Sequence, residues 1–267
     1  MNMKLLKSFF SLKSVRFPIV YFFILFLQAA NIAAQPYPKE ISVCFGDFKP
    51  FEYKESDQIK GMNVEILETI AGSLGIKIKW SVYPWARCLY MAESGTVDGL
   101  MSLYWSAERD EFLYFPSEHI NVDECVFFTY PGSSVVFDGT LRSLTGLKVL
   151  IAHANSYGRE FDEAENIIKV KAPNAVNVVR MIAKKRYQIG IGSRKAVEAE
   201  IKARGCEKKL VILKPSYYIK TYFAFSKKKG PSYKALAEDF SDALRSYKKS
   251  GEYERTLKRY GYWNDTQ

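Results

Sequence analysis

Aromatic rings and guanidinium groups crowd into one segment of the sequence, residues 83–116. It reads YPWARCLYMAESGTVDGLMSLYWSAERDEFLYFP, with Trp85 and Arg87 near its start and Trp105 and Arg109 near its end. A planar guanidinium can hold a carboxylate through two parallel hydrogen bonds, and aromatic rings offer broad faces for stacking. The segment is therefore a candidate surface for binding a small polar molecule.

Groups that catalyse reactions do not form a familiar pattern in this sequence. It has no nucleophile elbow, no glycine-rich phosphate loop and no His or Cys cluster with metal-ligand spacing. The two histidines, His119 and His153, are too few and too far apart to indicate a metal site. We therefore expect no catalytic residue, no metal and no cofactor.

The segment belongs to a series of predicted strands and helices that alternate. EISVCFGD, IKIKWSVY and TVDGLMSL have strand patterns, whereas MNVEILETIAGSLG and WARCLYMAESG have helical spacing that ends at Gly75 and Gly95. FKPFEYKESDQIKG reads as a polar loop between the first strand and the first helix. This order is typical of a parallel sheet covered by helices.

A second unit with the same order follows from about Leu147. Its strands are LKVLIA, IIKV, YQIGIG and KLVIL, and its helices are NSYGREFDEAE with a cap at Asn155 or Ser156, NAVNVVRMIAKK with a cap at Asn174, and SRKAVEAEIKARG. EHINVDECVFFTY and KPSYYIKTYFAFS are extended and aromatic, and they would connect the two units. In open α/β sheets, ligands bind beyond the carboxyl ends of strands, so the loops that face each other there form the expected cleft.

The first thirty-four residues have the features of a secretory signal peptide. Basic residues without an acid come first, an apolar run from Phe17 to Leu27 follows, and small residues precede Gln35. The apolar run has about eleven residues, whereas a membrane-spanning helix needs about 20. We expect cleavage after Ala34 and a periplasmic protein; because Ile32 makes the cleavage site imperfect, an uncleaved anchor is the alternative.

The charge of the chain gives no sign of a polyanionic partner. The formal net charge is +10, and removal of the signal peptide lowers it by four, to +6. The remaining basic residues are spread in groups such as AKKRYQ and SKKKG, which fit solvated helix faces and turns. No nucleic-acid-binding motif is present, so nucleic acid is not an expected partner.

The four cysteines allow more than one interpretation. Cys44, Cys88, Cys125 and Cys206 could form three complete pairings in an oxidising compartment. None belongs to a CxxC motif, and Cys44 and Cys125 lie in apolar runs. Disulfides and buried free thiols therefore both stay open.

Six motifs occur in the order that a known family shows. FKPFEY carries PF in the first loop, GMNVEI resembles the family's GFDVDL helix start, and SGTVDGLMS resembles its third strand. SAERDEFLYFP, LTGLKVLIAHANS and GEYERTLKRY match three later motifs. Each motif is weak alone, but their order from Ile41 to Trp263 is specific. The sequence resembles the periplasmic solute-binding proteins of the polar amino-acid type, family 3, which serve ABC importers.

The resemblance implies a ligand site built from loops of both units. It places the carboxylate-binding arginine on Arg109, stacking rings on Trp85 and Phe48, and hydroxyl groups on Ser102 and Ser156. Ser156 would start a helix, whose N–H groups could also face an anion. The other residues expected at this site are Tyr104, Ser193, Arg87 and Asp47.

One departure from the family pattern concerns the ammonium group of an amino acid. In RYQIGIGSR, Gln188 stands at the first acid of the family's strand and Ser193 at the aspartate that binds ammonium; Asn63 also replaces an acid. Loss of a charge-assisted hydrogen bond costs about 1.5 to 3 kcal/mol, which is a factor of ten or more in affinity. Asp47 and Glu52 of the first loop are the alternatives for this charge, and the ligand's identity stays open.

The expected architecture is α/β, of the periplasmic-binding-protein type II. Two α/β lobes would be joined by two hinge crossings, with the ligand cleft between them. We predict a first lobe of residues 35–122 and 222–267 and a second lobe of residues 123–221. The hinge crossings would lie near residues 118–126 and 214–223.

The expected function is binding rather than catalysis. The protein would capture a small polar, amino-acid-like ligand with a carboxylate, for an ABC importer or a sensor. Its expected partners are that ligand and an inner-membrane ABC permease, and it would be a monomer. The alternative is a stand-alone cyclohexadienyl (prephenate or arogenate) dehydratase on the same fold, which formation of an aromatic keto acid would reveal.

Overall fold

The computed structural model describes residues 38–262, so the predicted cleavage site after Ala34 lies outside the described residues. The strands are β1 Glu40–Phe45, β2 Tyr53–Glu55, β3 Gln58–Lys60, β4 Lys77–Val82, β5 Gly99–Tyr104, β6 Leu113–Tyr114, β7 Asn121–Thr129, β8 Lys148–Ala152, β9 Ile168–Ala172, β10 Ile189–Ser193, β11 Val211–Ile212 and β12 Tyr217–Ser226. The α-helices are α1 Met62–Ser73, α2 Trp85–Glu93, α3 Ala107–Phe112, α4 Arg159–Glu163, α5 Ala175–Ala183, α6 Arg194–Ala203, α7 Ser232–Lys249 and α8 Glu252–Arg259. Within residues 38–262, no helix has the length and apolar character that a membrane span requires.

Ten strands form one sheet that contains two parallel units. The order is β4-β1-β5-β12-β7-β10-β8-β9, with β6 on β12 and β11 on β7. Strand β1 runs parallel to β4 and β5, and β8 runs parallel to β9 and β10. The units meet at the antiparallel pair β7 and β12, in which Cys125 is opposite Tyr217 and Asn121 is opposite Thr221. These strands are the two extended connections that the sequence predicts, and the two-lobed α/β fold is confirmed.

Each lobe buries its own apolar side chains. In the first lobe, the core residues include Ile41, Val43, Phe45, Ile66, Phe225, Leu236, Phe240 and Leu257. In the second lobe, they include Phe127, Val149, Ile151, Phe161, Ile189 and Ile191 on one side of the sheet. Helices α7 and α8 pack on the first lobe, as predicted, through Leu236, Phe240 and Leu257. Full burial of one such side chain contributes about 1.5 to 3 kcal/mol. The residue boundaries of the lobes stay a prediction.

Three local elements differ from their predictions. The predicted loop before α1 contains the hairpin of β2 and β3, whose turn has Ser56 at φ 53°. Most side chains of this hairpin are exposed, so its sequence lacks the alternation of apolar and polar residues that predicts a strand. Helix α4 begins at Arg159 with Gly158 before it, so the predicted cap at Asn155 or Ser156 is wrong. The segment KLVIL was predicted as a strand, but only Val211 and Ile212 pair with β7, so β11 has two residues.

The cysteines divide into one disulfide and two free thiols. Cys44 of β1 is bonded to Cys88 of α2, with a Cα–Cα distance of 5.5 Å. Cys125 and Cys206 are free and buried. Each interpretation therefore holds for two of the four cysteines: one disulfide forms, and two thiols are free and buried.

Candidate ligand-binding site

The site is centred on Arg109, a buried guanidinium in the first turn of α3. The Ser106 hydroxyl caps this helix by accepting a hydrogen bond from the Arg109 N–H at 3.3 Å. The side chain is 6 % exposed. Its Nη1 donates to the Tyr104 carbonyl at 2.8 Å, and its Nη2 donates to the Ala154 carbonyl at 3.1 Å. Burial lowers the pKa of Arg109 to about 10, so the side chain is still charged at neutral pH.

Trp85 and Arg109 meet at a single carbonyl of the second lobe. Trp85 lies at the start of α2, and its Nε1 donates to the Ala154 carbonyl at 3.0 Å. The guanidinium carbon of Arg109 is 5.6 Å from the centroid of the Trp85 ring, within the range of a cation–π contact. Ala154 follows β8 and has φ 63°, a left-handed conformation that is uncommon outside glycine. The structure thus brings together two residues that were predicted as ligand contacts.

Ser102 of β5 belongs to a separate, largely buried polar network. Its hydroxyl donates to Glu52 Oε2 at 2.6 Å and accepts from Asn63 Nδ2 at 2.6 Å. Asn63 Nδ2 also donates to Glu52 Oε2 at 3.2 Å, and Asn63 Oδ1 accepts from Asn121 Nδ2 at 2.6 Å. Thr221 of β12 donates its hydroxyl to Asn121 Oδ1. The network therefore links the first loop, helix α1 and both crossing strands.

Burial raises the pKa of Glu52 to about 8, and the nearby Asp123 and Asp47 add to this increase. The hydrogen bonds from Ser102 and Asn63 act in the opposite direction but are smaller. A carboxyl group in this environment is mostly protonated at neutral pH. Glu52 is therefore poorly suited to pair with a cation at that pH.

Replacement of Glu52 by Gln is expected to reduce the pH dependence of stability. Because the pKa is raised from 4.5, the folded state binds more protons than the unfolded state between these two pKa values. Stability therefore falls as pH rises through that window. From about pH 5 to 8, the free energy of unfolding of the wild type should fall by roughly 2 to 4 kcal/mol because of Glu52. Glu52→Gln should not show this fall. Urea unfolding across this range measures the difference. Glu55→Gln, at an exposed acid paired with Lys60, is the control, and equal slopes in wild type and Glu52→Gln would refute the assignment.

Asp123 is a second buried acid, and it lies between the lobes on β7. Its Oδ2 accepts from the Tyr104 hydroxyl at 2.6 Å, and its Oδ1 accepts from the Ser193 hydroxyl at 2.7 Å. The Tyr262 hydroxyl donates to Oδ1 at 3.3 Å. Burial raises the pKa of Asp123 to about 6, although these hydroxyl groups lower it. Tyr104 and Ser193 are thus both bonded to an acid that was not among the predicted site residues.

Ser156 lies close to Ala154 in sequence but is engaged elsewhere. Its hydroxyl donates to Asp162 Oδ2, and the N–H of Tyr157 donates to Asp162 Oδ1 at 2.9 Å. Asp162 therefore fixes the loop that leads into α4. Because α4 starts three residues later, Ser156 is not the first residue of a helix.

The remaining predicted residues lie on or near the surface of the first lobe. Phe48 stacks on Phe51, with ring centroids 5.0 Å apart and an interplanar angle of 20°. Asp47 is exposed, and partial burial of its carboxyl raises its pKa. Arg87 is exposed, with its guanidinium carbon 4.6 Å from the centroid of the Tyr83 ring. The described contacts do not join these side chains to the Arg109 cluster, and their ligand roles stay predictions.

Sequence reasoning missed Asp123 and Ala154 for different reasons. Asp123 is an acid within NVDECVFFT, a strand that is otherwise mostly apolar and buried. An acid in such a strand is a detectable signal, because acids are rarely buried without partners. Ala154 takes part through its backbone carbonyl, so its side chain gave no signal.

Comparisons with known proteins agree with this fold. Residues 41–262 match the family "Bacterial extracellular solute-binding proteins, family 3". "Probable amino-acid-binding protein YxeM" of Bacillus subtilis (strain 168) is 23 % identical over 225 residues, which cover 80 % of this chain and 81 % of that protein.

Two solved structures have the same fold at low sequence identity. A histidine kinase sensor domain with similarity to periplasmic binding proteins has a TM-score of 0.70 and 22 % identity, and the match covers 82 % of this chain and 95 % of that one. An ancestral arginine-binding protein bound to arginine has a TM-score of 0.71 and 18 % identity, with 84 % and 98 % covered. At these identities the two structures show the fold alone.

The family match spans nearly all of the described residues. It is a family of binding proteins, which confirms the expectation that the chain is not an enzyme. The chain belongs to the bacterial extracellular solute-binding proteins, family 3.

Proposed function

We propose that the protein captures a small polar, amino-acid-like ligand through the ligand's carboxylate. The observation that carries this proposal is the state of Arg109. Its guanidinium is buried and donates to two neutral carbonyls, and none of the ion pairs among residues 38–262 includes it. Asp162 and Glu108 favour its charged form but form no ion pair with it, so an anionic group that reaches Arg109 gains a strong, charge-assisted interaction.

In this proposal, the ligand replaces contacts that now join the two lobes. The carboxylate accepts from Arg109 in place of the Ala154 carbonyl, and the Trp85 ring packs against the rest of the ligand. Phe48 offers the second ring, and Ser102 and Ser156 supply hydroxyl oxygens from opposite sides once they release Glu52 and Asp162. Hinge bending about β7 and β12 opens and closes the cleft, with the lobes divided at the predicted boundaries.

The cellular role follows from the family and the predicted leader. A periplasmic protein, released by cleavage after Ala34, would deliver its ligand to an inner-membrane ABC permease or to a sensor. The name of YxeM and the arginine in the ancestral protein support an amino-acid-like ligand. The dehydratase alternative is not favoured, because the matched family consists of binding proteins.

A ligand screen tests the proposal directly. Ligand removal by unfolding and refolding without reductant should precede thermal-shift assays with L-amino acids, polyamines, dicarboxylates and short peptides. We expect carboxylate-bearing molecules to raise Tm and to change tryptophan fluorescence, because Trp85 hydrogen-bonds a carbonyl that moves when the ligand binds. A screen without any stabilising carboxylate would refute the proposal, and an aromatic keto acid formed from prephenate would favour the dehydratase.

A further inference from the structure

The excess positive charge of the chain is concentrated in one segment, residues 184–209. This segment has nine basic and three acidic residues, which give it a formal charge of +6. The chain without its predicted leader also has a charge of +6. The charges of all its other residues therefore cancel, and the excess belongs to this segment of the second lobe.

The fold brings two basic turns of this segment to one end of the second lobe. One turn follows α5 and the other follows α6, and the two helices pack against the same apolar core. Strands β10 and β11, which come after these turns, both run antiparallel to β7 and begin where β7 ends. Lys185 Nζ lies 5.3 Å from the ring centroid of Tyr130, the residue after β7. We call the cations at this end the basic pole: Lys184, Lys185, Arg186, Lys202, Lys208 and Lys209.

The six side chains of the basic pole are all exposed, and the acids around them do not neutralise them. None of the ion pairs formed within residues 38–262 includes one of the six. Arg204 differs, because it pairs with Glu200 of its own helix. Glu207 lies among the six and leaves the pole a net charge of +5. Along the sequence the two turns look like separate solvated surfaces, but in the fold they form one patch whose positive potential attracts an anionic partner.

The composition of the basic pole suits an extended anionic surface better than a single anion. All but one of its cations are lysines, whose flexible and strongly hydrated ammonium groups act as point charges. Exposed aliphatic side chains accompany them: Val211 begins β11, and Val136 lies in the loop that joins the end of β7 to the start of β8. Clustered lysines beside exposed apolar side chains are the combination with which peripheral proteins bind anionic bilayers. The predicted leader would also direct the chain across a membrane and away from nucleic acid.

The basic pole faces away from the ligand site. Ala154 and Ser193 lie at the carboxyl ends of β8 and β10, which run parallel, whereas the basic turns lie at the opposite ends of these strands. A surface that binds the pole would therefore leave the cleft open. This makes a role for the pole independent of the ligand and of the proposed function.

We propose that the basic pole docks the second lobe on the surface of an anionic phospholipid bilayer. Each lysine near such a surface strengthens binding about fivefold, so the six cations together give a substantial affinity. Because the contact is mainly electrostatic, salt screens it and the docking is reversible.

The first test measures sedimentation of the wild-type protein, produced from the full chain, with large unilamellar vesicles. Vesicles of phosphatidylcholine with about 30 % phosphatidylglycerol supply the anionic surface, and pure phosphatidylcholine vesicles are the neutral control. The partition coefficient should be at least about tenfold higher for the anionic vesicles, and this preference should disappear at about 0.5 M salt. Equal coefficients for the two kinds of vesicle at low salt would overturn the inference.

The second test compares two variants that have the same net charge. The first variant changes four lysines of the basic pole: Lys184→Gln, Lys202→Gln, Lys208→Gln and Lys209→Gln. The matched control changes four exposed lysines of the first lobe: Lys77→Gln, Lys79→Gln, Lys234→Gln and Lys249→Gln. Binding to anionic vesicles should weaken at least about a hundredfold in the first variant and stay within about threefold of the wild type in the control. An equal loss in both variants would assign the effect to net charge alone and overturn the inference.

A soluble polyanion is the other partner that the basic pole could attract. Calorimetric titration with a short inorganic polyphosphate tests this alternative on the wild type. Tight binding of polyphosphate without binding to anionic vesicles would overturn the inference. All eight substituted lysines are exposed, so both variants should keep the wild-type Tm. Failure of docking would leave the proposed function intact, because the ligand screen requires no vesicles.

Discussion

Replacement of Arg109 by Gln should weaken binding of the carboxylate probe found in the screen by about a hundredfold or more. A hydrogen bond to a charged group contributes about 1.5 to 3 kcal/mol, and a bidentate guanidinium makes two such bonds to a carboxylate. Arg109→Lys keeps the charge but not the planar pair of donors, so we expect an intermediate loss of about ten- to a hundredfold. Isothermal titration calorimetry measures both affinities.

The matched control is Arg159→Gln, which removes an exposed guanidinium that pairs with Glu163 on its own helix. Surface ion pairs of this kind contribute about 1 kcal/mol or less, and affinity should not change. Circular dichroism and Tm without ligand should show that Arg109→Gln is folded. Wild-type affinity in a folded Arg109→Gln protein would remove Arg109 from the ligand site.

Loss of the Cys44–Cys88 disulfide should cause the largest change in stability. The bond closes a loop with a sequence separation of 44 residues, and removal of a disulfide of this kind costs about 2 to 5 kcal/mol. The Cys44→Ala/Cys88→Ala variant should therefore unfold on the order of 10 °C below the wild type. Differential scanning calorimetry without reductant measures this change.

Two controls separate the disulfide from the loss of buried side chains. Dithiothreitol should lower the Tm of the wild type but leave that of the double variant unchanged. Cys206→Ala, at a buried free thiol, should cost about 1 kcal/mol from lost packing alone. A wild-type Tm that dithiothreitol does not change would contradict the assignment.

The sequence was most informative where function and fold are encoded in local patterns. The alternation of strands and helices predicted the two parallel units, and the cap at Asn174 was confirmed by its bond from the Asn177 N–H at 3.0 Å. The extended segments between the units became the paired strands β7 and β12. These features follow from periodicity and capping, which act over a few residues.

Two residues on separate loops were predicted to lie at one site, and local patterns alone could not have predicted this. Trp85 and Arg109 were predicted on two consecutive loops of the first lobe, and both contact the Ala154 carbonyl. That prediction depended on the ordered motifs, since neither residue differs in type from an ordinary surface arginine or core tryptophan. The carbonyl that they share could not be predicted, because every residue has one.

The partner of Ser193 shows what a linear motif misses. By sequence, Ser193 and Gln188 leave the second lobe without an acid for a ligand cation. In the fold, the Ser193 hydroxyl contacts Asp123, which lies 70 residues earlier in the chain on a crossing strand. A motif compares positions along one strand, whereas a side chain bonds to groups from every strand that reaches it.

The sequence by itself determined the fold class, the family and the polar character of the cleft. Local apolar periodicity and the order of the motifs carry that information. Only the tertiary structure decided which cysteines pair, which hydroxyl groups are already engaged, and that the basic turns after α5 and α6 share one end of the second lobe. These are contacts between distant parts of the chain, and their energies depend on burial and distance, which no single segment specifies.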